Sequence, residues 1–473
     1  MPDTAVRQVL RGQHQLFLDD HDLAATSGVT RRMGQPAKKG AVIRPNLVTG
    51  GAPQIRTGPV YDPEEKVYKL WTLTATDGVM QATGLHVSQD GVHWTQPRVG
   101  LVEVNGSRDN HYVSYPYLDG SLGPNSVVYD PTEEPGRRYK SLAYYRPTHQ
   151  MVRAVSPDGV HWTAREGTLP SYDEFNLSYD AVDDRFLATV KVNGPHGRSH
   201  ALTTSPDFET WTPPELIFHA DDQDQELAKA VIAARIERRD LQQPLSVEAS
   251  EWATDVYNFA VSRYEGQYIG FGAFFYHTGR SPLGRNHDGF HLIQLASSRD
   301  LKTWTRLGER KAFIGPSPLG AGAYDTMQLL PPSFPVLRGD DLWFYYTGLK
   351  HRVEPAKHDT DWAAVCLATL RRDGFIALEA ADKGMVVTQP VQSDGAKLYV
   401  NADAADGQVR VDVLAADGGP LPSFSAEECR PLAEDNTRQA VAWGEGAEVG
   451  QINEPVRLRF TLSRARLYSY WFE

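Results

Sequence analysis

The sequence predicts an all-β protein, a five-bladed β-propeller followed by a C-terminal β-sandwich. Three observations lead to this prediction. The motif S-x-D-x-x-x-W-T occurs four times, an aromatic-rich hairpin pattern occurs five times, and beyond about residue 380 short alternating strands are separated by Gly, Asp and Pro. A repeated unit of roughly 45 to 60 residues that holds about four strands is typical of a propeller blade.

The tryptophan motif begins at Ser88, Ser156, Ser205 and Ser298. Ser and Asp side chains readily accept hydrogen bonds from backbone N–H groups in tight turns, and a large aromatic ring fills the space between packed sheets. We therefore expect each copy to close the turn between the two outer strands of a blade, with its Trp packed between neighbouring blades. The expected role of the motif is structural, not catalytic.

Five strand–turn–strand segments start at residues 60, 128, 178, 262 and 337, and each has a polar turn followed by a strand rich in Tyr, Phe and Trp. This pattern indicates a β-hairpin. The first three hairpins are in phase with the tryptophan motifs, so five hairpins predict five blades. The signal that should close the fifth blade is degenerate, around Asp373.

We place the propeller at residues 1–384 and the β-sandwich at residues 385–473, where alternating runs such as KLYVNADA and QVRVDVLAA recur. Residues 221–243 predict a helical insertion across one face of the propeller, because apolar residues occur there at helical spacing, at Leu227, Val231, Ile232 and Ile236. The expected role of this helix is core packing, and a lid over the pocket is the alternative.

The charge and the cysteines exclude several classes of protein. Forty-eight Lys and Arg against 60 Asp and Glu give a net charge of −12, which argues against nucleic acid or an anionic membrane surface as a partner. Cys366 and Cys429 lie far apart and match no metal-ligand spacing. No apolar run suits a signal peptide or a membrane span, so we expect a cytoplasmic protein. Neither a cofactor nor a metal ion is predicted, and a homo-oligomer through the sandwich is left open.

The first strand of each propeller blade lines the central channel, so ligand-facing residues are expected just ahead of the five hairpins. The repeat breaks down in these segments, as it does where function is built onto a scaffold. The predicted substrate-binding residues in them are Gln54, Arg56, Asn125, Asn176 and Tyr257.

Four carboxylates on these segments are the predicted catalytic residues: Asp173, Glu174, Asp255 and Asp325. Hydrolysis of a glycosidic bond needs one carboxylic acid that protonates the leaving oxygen and one carboxylate that attacks carbon or activates water. We expect Asp255 to be the base or nucleophile and Glu174 to be the acid.

Two further segments contribute predicted substrate-binding residues. The loop between the first two blades could reach over the channel mouth with Arg108, Asp109, Asn110 and His111, and a solvated polar loop is the alternative. The cluster HTGRSPLGRNHDGFH contributes His277. Its spacing does not support a metal site.

Five blades, the tryptophan motifs and a trailing β-sandwich together resemble the invertase and levanase group, glycoside hydrolase family 32, and its arabinanase and xylosidase relatives in family 43. LFLDD at residues 16–20 is more similar to a poorly characterised bacterial set of family-32-like propellers. The resemblance implies a carbohydrate substrate. It maps the family's blade-three acid onto Glu174 and its D-x-Y motif onto Asp255 and Tyr257. Ile55 stands where the family has its blade-one nucleophile.

Three functional hypotheses follow. The first is a glycoside hydrolase that acts on a furanoside or a similar small glycan. The second is a glycoside phosphorylase, in which phosphate replaces water and is held by cations such as Arg56, Lys191, Arg198 and His200. The third is a carbohydrate-binding propeller that has lost its catalytic acids, which the missing blade-one Asp favours. The sequence favours the hydrolase.

Overall fold

The computed structural model describes residues 6–45, 52–76, 79–103, 106–113, 124–145, 150–282, 286–320, 322–352, 361–444, 446–452 and 454–473. It contains a five-bladed β-propeller, as predicted. Each blade is an antiparallel sheet, and the sheets contact one another in ring order, with the fifth against the first.

The strands of the first four blades follow the order of the chain. Blades I and II consist of Ala52–Gln54, Val60–Asp62, Val67–Thr76, Val79–Ser88 and Tyr112–Val113, then Ser126–Tyr129, Tyr139–Tyr145, Gln150–Ser156 and Thr163–Pro170. Blades III and IV consist of Phe175–Asp180, Arg185–Gly194, Gly197–Ser205 and Glu215–Phe218, then Ala253–Tyr264, Gln267–Arg280, His287–Ser298 and Thr305–Arg306.

Blade V closes the ring with a strand from the beginning of the chain. Its own segment supplies Gln328–Leu330, Val336–Arg338, Asp341–Leu349 and Ala363–Arg371. The outermost strand is Ala37–Ile43, which pairs antiparallel with Ala363–Arg371. The degenerate fifth closing signal has its explanation here, because the chain does not turn back on itself to form this outer strand.

The tryptophan motif has the structural role predicted for it. In the first copy, Asp90 Oδ1 accepts hydrogen bonds from the backbone N–H groups of Val92 and His93, at 2.8 Å each. The Trp94 ring lies 6.0 Å from that of Tyr345 in blade V. The second copy repeats the turn, and Trp162 packs against Trp71 of blade I. Each turn thus also joins its blade to the preceding one.

The predicted helical insertion is the α-helix Asp222–Glu237, and it packs on blade IV. A capping box formed by Asp221 and Asp224 starts the helix. Its buried face includes Ala228 and Ile232, whereas Leu227, predicted to be apolar packing, is exposed. Single-turn 3₁₀ helices occur at Pro135–Arg137, Ala249–Glu251, Gly308–Arg310, Pro422–Phe424 and Val449–Gln451. Within the described ranges, no helix has the length and apolar character needed to span a membrane.

The C-terminal part of the chain is a second all-β assembly. Its strands are Ile376–Thr388, Val391–Gln392, Leu398–Asp403, Gln408–Ala415, Asp435–Ala440 and Val456–Phe472. Four strands from the start of the chain join them: Arg7–Gln8, Gln15–Leu16, Leu23–Ser27 and Thr30–Met33. The division at residue 384 stays a prediction, and the strand Ile376–Thr388 runs across it.

A buried carboxylate joins the propeller to this C-terminal assembly. Asp373 accepts hydrogen bonds from Tyr264 of blade IV at 2.6 Å and from Ser469 at 2.5 Å, and His14 Nδ1 lies 2.6 Å from its Oδ2. Burial opposes ionisation of Asp373, but these partners hold its pKa below the ordinary value. Propeller, N-terminal segment and C-terminal strands therefore meet at one ionised group.

The contacts of Asp62 predict acid sensitivity of the propeller. Burial opposes its ionisation, but hydrogen bonds from Tyr139, the Glu65 amide and Lys69 lower its pKa to about 2, from 3.8. The carboxylate therefore stabilises the folded state above about pH 4 and loses this effect as the pH falls toward 2. We expect Asp62→Asn to flatten the dependence of the unfolding free energy on pH in this window, measured by urea denaturation. Asp406→Asn, at an exposed site, is the control and should leave the slope unchanged, and an unchanged slope in Asp62→Asn would contradict the prediction.

Candidate functional site

A cleft of about 380 Å³ lies where blades III, IV and V meet. It is found at the edge of the blades at which the first strands begin and the second strands end. Asp173 precedes the first strand of blade III. Arg352 follows Asp341–Leu349, the strand of blade V that pairs with its first strand, Gln328–Leu330. The residues that line the cleft are Tyr172, Asp173, Lys191, Asn193, Arg198, Tyr257, Asn286 and Arg352.

A larger cavity, of about 620 Å³, lies between blade V and the C-terminal strands. Its arginines are engaged with acids: Arg32 and Arg466 both bind Glu379, at 2.7 and 2.8 Å, and Arg371 pairs with Asp435. None of the predicted catalytic carboxylates lines it. We therefore place the candidate site at the smaller cleft.

Arg56 and Glu174 form a buried bidentate pair beside the cleft. Arg56 Nε donates to Glu174 Oε2 at 2.5 Å and Nη2 donates to Oε1 at 2.7 Å, while Asn258 Nδ2 donates to Oε2 at 2.9 Å. Burial opposes the charge on Arg56, but Glu174 raises the pKa of the guanidinium above its ordinary value. Donors thus engage both oxygens of Glu174. Its expected role as the catalytic acid stays a prediction.

The main-chain carbonyl group of Arg56 also binds side chains from three other blades. Its carbonyl oxygen accepts hydrogen bonds from Ser126 Oγ of blade II at 3.2 Å, Asn176 Nδ2 of blade III at 3.1 Å and Ser333 Oγ of blade V at 2.7 Å. Asn176, predicted to bind substrate, thus binds the protein's own backbone. Gln54 Oε1 likewise accepts a hydrogen bond from Arg56 Nη2, at 3.4 Å.

Asp255 is buried on the first strand of blade IV. Arg198 Nη1 donates to its Oδ2 at 2.8 Å, and His277 Nε2 lies 3.4 Å from the same oxygen. Burial opposes ionisation, but His277 and Arg198 hold the pKa of Asp255 below its usual value. Oδ1 is buried with no hydrogen-bond partner in the part of the chain that the structure describes. Gly197, at φ 95°, permits this approach, since a Cβ there would lie 3.1 Å from Oδ2.

The ring of Tyr257 lies among three cations. Lys191 Nζ is 4.7 Å from the ring centroid, and the guanidinium carbons of Arg198 and Arg352 are at 5.5 and 5.9 Å. Cations at such distances are attracted by the electron-rich face of an aromatic ring. Burial, together with the charge of Glu174, raises the pKa of the Tyr257 phenol, so the ring is neutral.

Asp173 is exposed at the cleft and forms an ion pair with Lys191. Although its side chain is 58% exposed, the surrounding protein removes part of its hydration and so opposes ionisation, but Lys191 holds the pKa of Asp173 below its ordinary value. With the pairs Glu174–Arg56 and Asp255–Arg198, the three predicted carboxylates Asp173, Glu174 and Asp255 each face a cation.

The structure does not bring Asp325 to the cleft. Its Oδ2 accepts hydrogen bonds from Lys38 Nζ at 2.7 Å and from Tyr346 OH at 2.8 Å. Lys38 lies on the outermost strand of blade V and Tyr346 on the strand Asp341–Leu349. Asp325 is therefore a buried partner within blade V, and its predicted catalytic role is not supported by its position.

The predicted loop residues make local contacts. Exposed Arg108 and Asp109 pair with Glu103 at 3.7 Å and Arg98 at 3.0 Å. Asn110 Nδ2 donates to the Val102 carbonyl at 2.7 Å. None of these residues is among those that line the described cleft, which agrees with the alternative of a polar loop.

The last two predicted residues near this loop are buried. The His111 ring lies 5.0 Å from that of His86, and burial lowers the pKa of His111 to about 4. Asn125 is buried next to blade II, and its Oδ1 has no hydrogen-bond partner among the described residues. Neither lines the cleft.

Sequence reasoning missed Arg352, Tyr172, Asn193 and Asn286. It considered the first strand of each blade, whereas Asn193 lies at the end of a second strand and Arg352 just beyond one. Adjacent antiparallel strands bring the start of one to the end of the other. A search of the residues that follow each second strand would have found Asn193 and Arg352.

One group of three potential metal ligands occurs among the described residues: His14, Glu265 and Asp373. His14 and Asp373 lie at the junction with the C-terminal strands, away from the cleft. The backbone N–H of His14 donates to Glu265 at 3.0 Å, and Asp373 is satisfied by the contacts given above. The prediction that no metal ion takes part remains a prediction.

The sequence matches no protein-family model and no curated protein. Similar solved structures include an N-acetylgalactosamine deacetylase from F. plautii in complex with blood group B trisaccharide, with 15% identity and a TM-score of 0.41 over 74% of this chain and 97% of that chain. The catalytic domain of a GH62 α-L-arabinofuranosidase from Coprinopsis cinerea has 11% identity and a TM-score of 0.43 over 71% of this chain and 97% of that chain.

A GH32 β-fructofuranosidase from Bombyx mori has 10% identity and a TM-score of 0.38 over 90% of this chain and 94% of that chain. It carries the name of one of the two families that the sequence resembles. Identities and TM-scores this low do not transfer an activity to this chain.

The Arg56–Glu174 pair generates a prediction about stability. Removing one partner of a buried ion pair leaves an uncompensated charge, which costs about 3 kcal/mol or more. We expect Arg56→Met and Glu174→Gln each to lower the free energy of unfolding by about this amount, and the double variant to lose clearly less than the sum. Urea denaturation of the four proteins measures the coupling. Additive losses would show that the two side chains do not depend on each other.

Proposed function

We propose that this protein is a glycoside hydrolase that cleaves a small carbohydrate in the cleft between blades III, IV and V. The observation that carries the proposal is the attachment of two buried carboxylates to one strand beside the cleft. Asp255 lies on the strand Ala253–Tyr264, and Asn258 of the same strand binds Glu174. Tyr257 lies between Asp255 and Asn258 in the sequence and lines the cleft.

Asp255 suits the role of base or nucleophile. A carboxylate in this role must be ionised, and one of its oxygens must be free of protein hydrogen bonds so that it can bind water or the sugar carbon. Arg198 and His277 favour ionisation through Oδ2, and Oδ1, although buried, makes no hydrogen bond to a described residue. This assignment agrees with the resemblance to the D-x-Y motif of family 32.

Glu174 and Asp173 are the two candidates for the catalytic acid, and they differ in their hydrogen-bond and ion-pair partners. Arg56 and Asn258 bind both oxygens of Glu174, whereas Asp173 is exposed and paired with Lys191. A substrate that covers Asp173 and draws Lys191 away would raise its pKa, because burial and loss of a cation both disfavour the charged form. We therefore propose Asp173 as the acid, with Glu174 positioning Arg56 and the strand that carries Asp255.

The finer predictions belong to the same proposal. A cleft of about 380 Å³ suits one or two sugar rings, and Tyr172 and Tyr257 offer aromatic surface to them. A furanoside or a related small glycan as substrate rests on the resemblance to families 32 and 43. The C-terminal β-sandwich at residues 385–473 rests on the alternating strand pattern of the sequence. A cytoplasmic location, the absence of nucleic-acid and membrane partners, and a homo-oligomer stay as predicted from the sequence.

A glycoside phosphorylase is the second candidate. Lys191, Arg198 and Arg352 all lie within 6 Å of the Tyr257 ring centroid, and phosphate requires such a cluster of cations. In that reaction phosphate takes the place of the attacking water.

Activity assays on a panel of aryl furanosides, aryl pyranosides, short fructans and arabinans, with and without phosphate, test the proposal. We expect turnover by the wild type without phosphate. Asp255→Asn keeps the shape of the side chain but removes the base, so kcat/KM should fall roughly a thousand-fold. Asp173→Asn should have an effect of similar size, and aryl substrates with good leaving groups should suffer less from it.

Asp394→Asn, at an exposed position among the C-terminal strands, is the matched control and should retain wild-type activity. Circular dichroism establishes that each variant is folded. Full activity in folded Asp255→Asn would refute the proposed mechanism. Turnover that requires phosphate would favour the phosphorylase, and sugar binding without any turnover would favour the carbohydrate-binding propeller.

A further inference from the structure

Arg352 differs from the other two cations of the cleft in its ion-pair partners. Lys191 pairs with Asp173 and Arg198 pairs with Asp255. Arg352 has no ion-pair partner among the described residues, and its Nε is buried without a hydrogen-bond partner there. The guanidinium is held by aromatic contacts instead, 4.9 Å from the ring centroid of Phe275 and 5.9 Å from that of Tyr257.

Buried guanidinium donors normally have acceptors, so an unpaired one calls for an explanation. Contact with the faces of two rings holds the guanidinium in place but uses none of its N–H groups. The donors of Arg352 therefore remain available for an acceptor that enters the cleft.

The charge around the cleft points to an anion as that acceptor. Lys191, Arg198 and Arg352 supply three positive charges, while Asp173 and Asp255 supply two negative ones, an excess of one cation. This excess occurs in a protein whose net charge is −12. It is thus a local property of the cleft and runs against the field of the whole chain.

The titratable neighbours do not cancel this excess. Burial, followed by the charge of Arg352, lowers the pKa of His291 well below its ordinary value, and burial lowers that of His200 to about 3. Both imidazoles are therefore neutral at pH 7, as is the Tyr257 phenol. The remaining pair, Arg56 and Glu174, is balanced.

We propose that the cleft binds an oxyanion, with Arg352 as its principal ligand and Lys191 and Arg198 as supporting cations. The oxyanion is either the carboxylate of an acidic sugar or inorganic phosphate, which share the geometry that a guanidinium fork recognises. This inference names the substrate class of the site and, for its catalytic meaning, rests on the proposed function.

Binding of the oxyanion has a consequence for the carboxylates. An anion that contacts Lys191 and Arg198 competes with Asp173 and Asp255 for the same donors. Asp173, which the structure holds through Lys191, is then freer to take up a proton, while His277 remains beside Oδ2 of Asp255. Binding of the anion would thus also favour protonation of Asp173, the proposed acid.

Equilibrium binding followed by NMR and calorimetry tests the oxyanion site. The probes are glucuronate against glucose, galacturonate against galactose, and phosphate against chloride at constant ionic strength. We expect at least one anionic probe to bind the wild type at least ten-fold more tightly than its counterpart. Arg352→Gln should lose this preference, and Arg352→Lys, which keeps the charge but not the fork, should keep part of it. Arg238→Gln, an exposed arginine after the helix Asp222–Glu237, is the control and should bind as the wild type does.

The two sources of the oxyanion give different results. Preference for a uronate with no effect of phosphate identifies the substrate's carboxylate, and saturable binding of phosphate alone identifies a co-substrate. No preference for any anionic probe, or an undiminished preference in folded Arg352→Gln, would overturn the inference. The measurement needs no turnover. Anion binding by a protein that is inactive on every substrate would support the oxyanion site and refute the proposed hydrolase. Turnover of neutral glycosides without anion binding would support the hydrolase and refute the oxyanion site.

Discussion

The hydrogen bonds made by Arg56 hold the centre of the propeller together. Its carbonyl oxygen accepts donors from blades II, III and V, and its guanidinium binds Glu174 of blade III, which Asn258 connects to blade IV. One residue of blade I thus contacts the other four blades directly or through a single intermediate. The cleft lies where three of these blades meet, so its geometry depends on this buried pair. A buried charge with two partners cannot shift without exposing an unpaired ion to a medium of low polarity.

The chemistry of the cleft follows from how charge is distributed around it. Glu174 pairs with Arg56, and cations beside Asp173 and Asp255 hold the pKa of each of these two carboxyl groups below its ordinary value before substrate arrives. Arg352 alone among the cleft's cations lacks such a partner within the described residues. The site is therefore prepared to accept negative charge, and the entry of an anion rearranges the partners that determine which carboxyl group carries a proton.

Sequence reasoning selected Glu174, Asp255 and Tyr257 because they precede or occupy the first strands of their blades. Tyr257 lines the cleft and the neighbouring Asn258 binds Glu174, while the catalytic roles of the two carboxylates stay predictions. Asp325 was chosen by the same rule and lies elsewhere, buried against Lys38 and Tyr346. The rule selects candidate segments, but whether a side chain faces the cleft or a neighbouring sheet depends on the orientation of the backbone, which a hairpin pattern does not reveal.

The repeated architecture can be predicted from the amino-acid sequence, because the contacts behind it are local. The Ser and Asp of each tryptophan motif bind backbone groups two or three residues away, and each hairpin closes within a few residues. How the ring closes and which side chains surround Tyr257 become visible in the folded structure. Ala37–Ile43 pairs with a strand more than 300 residues further along the chain, and Arg352 reaches a ring on another blade. Contacts between distant segments are set by the packing of whole sheets, and no local pattern encodes them.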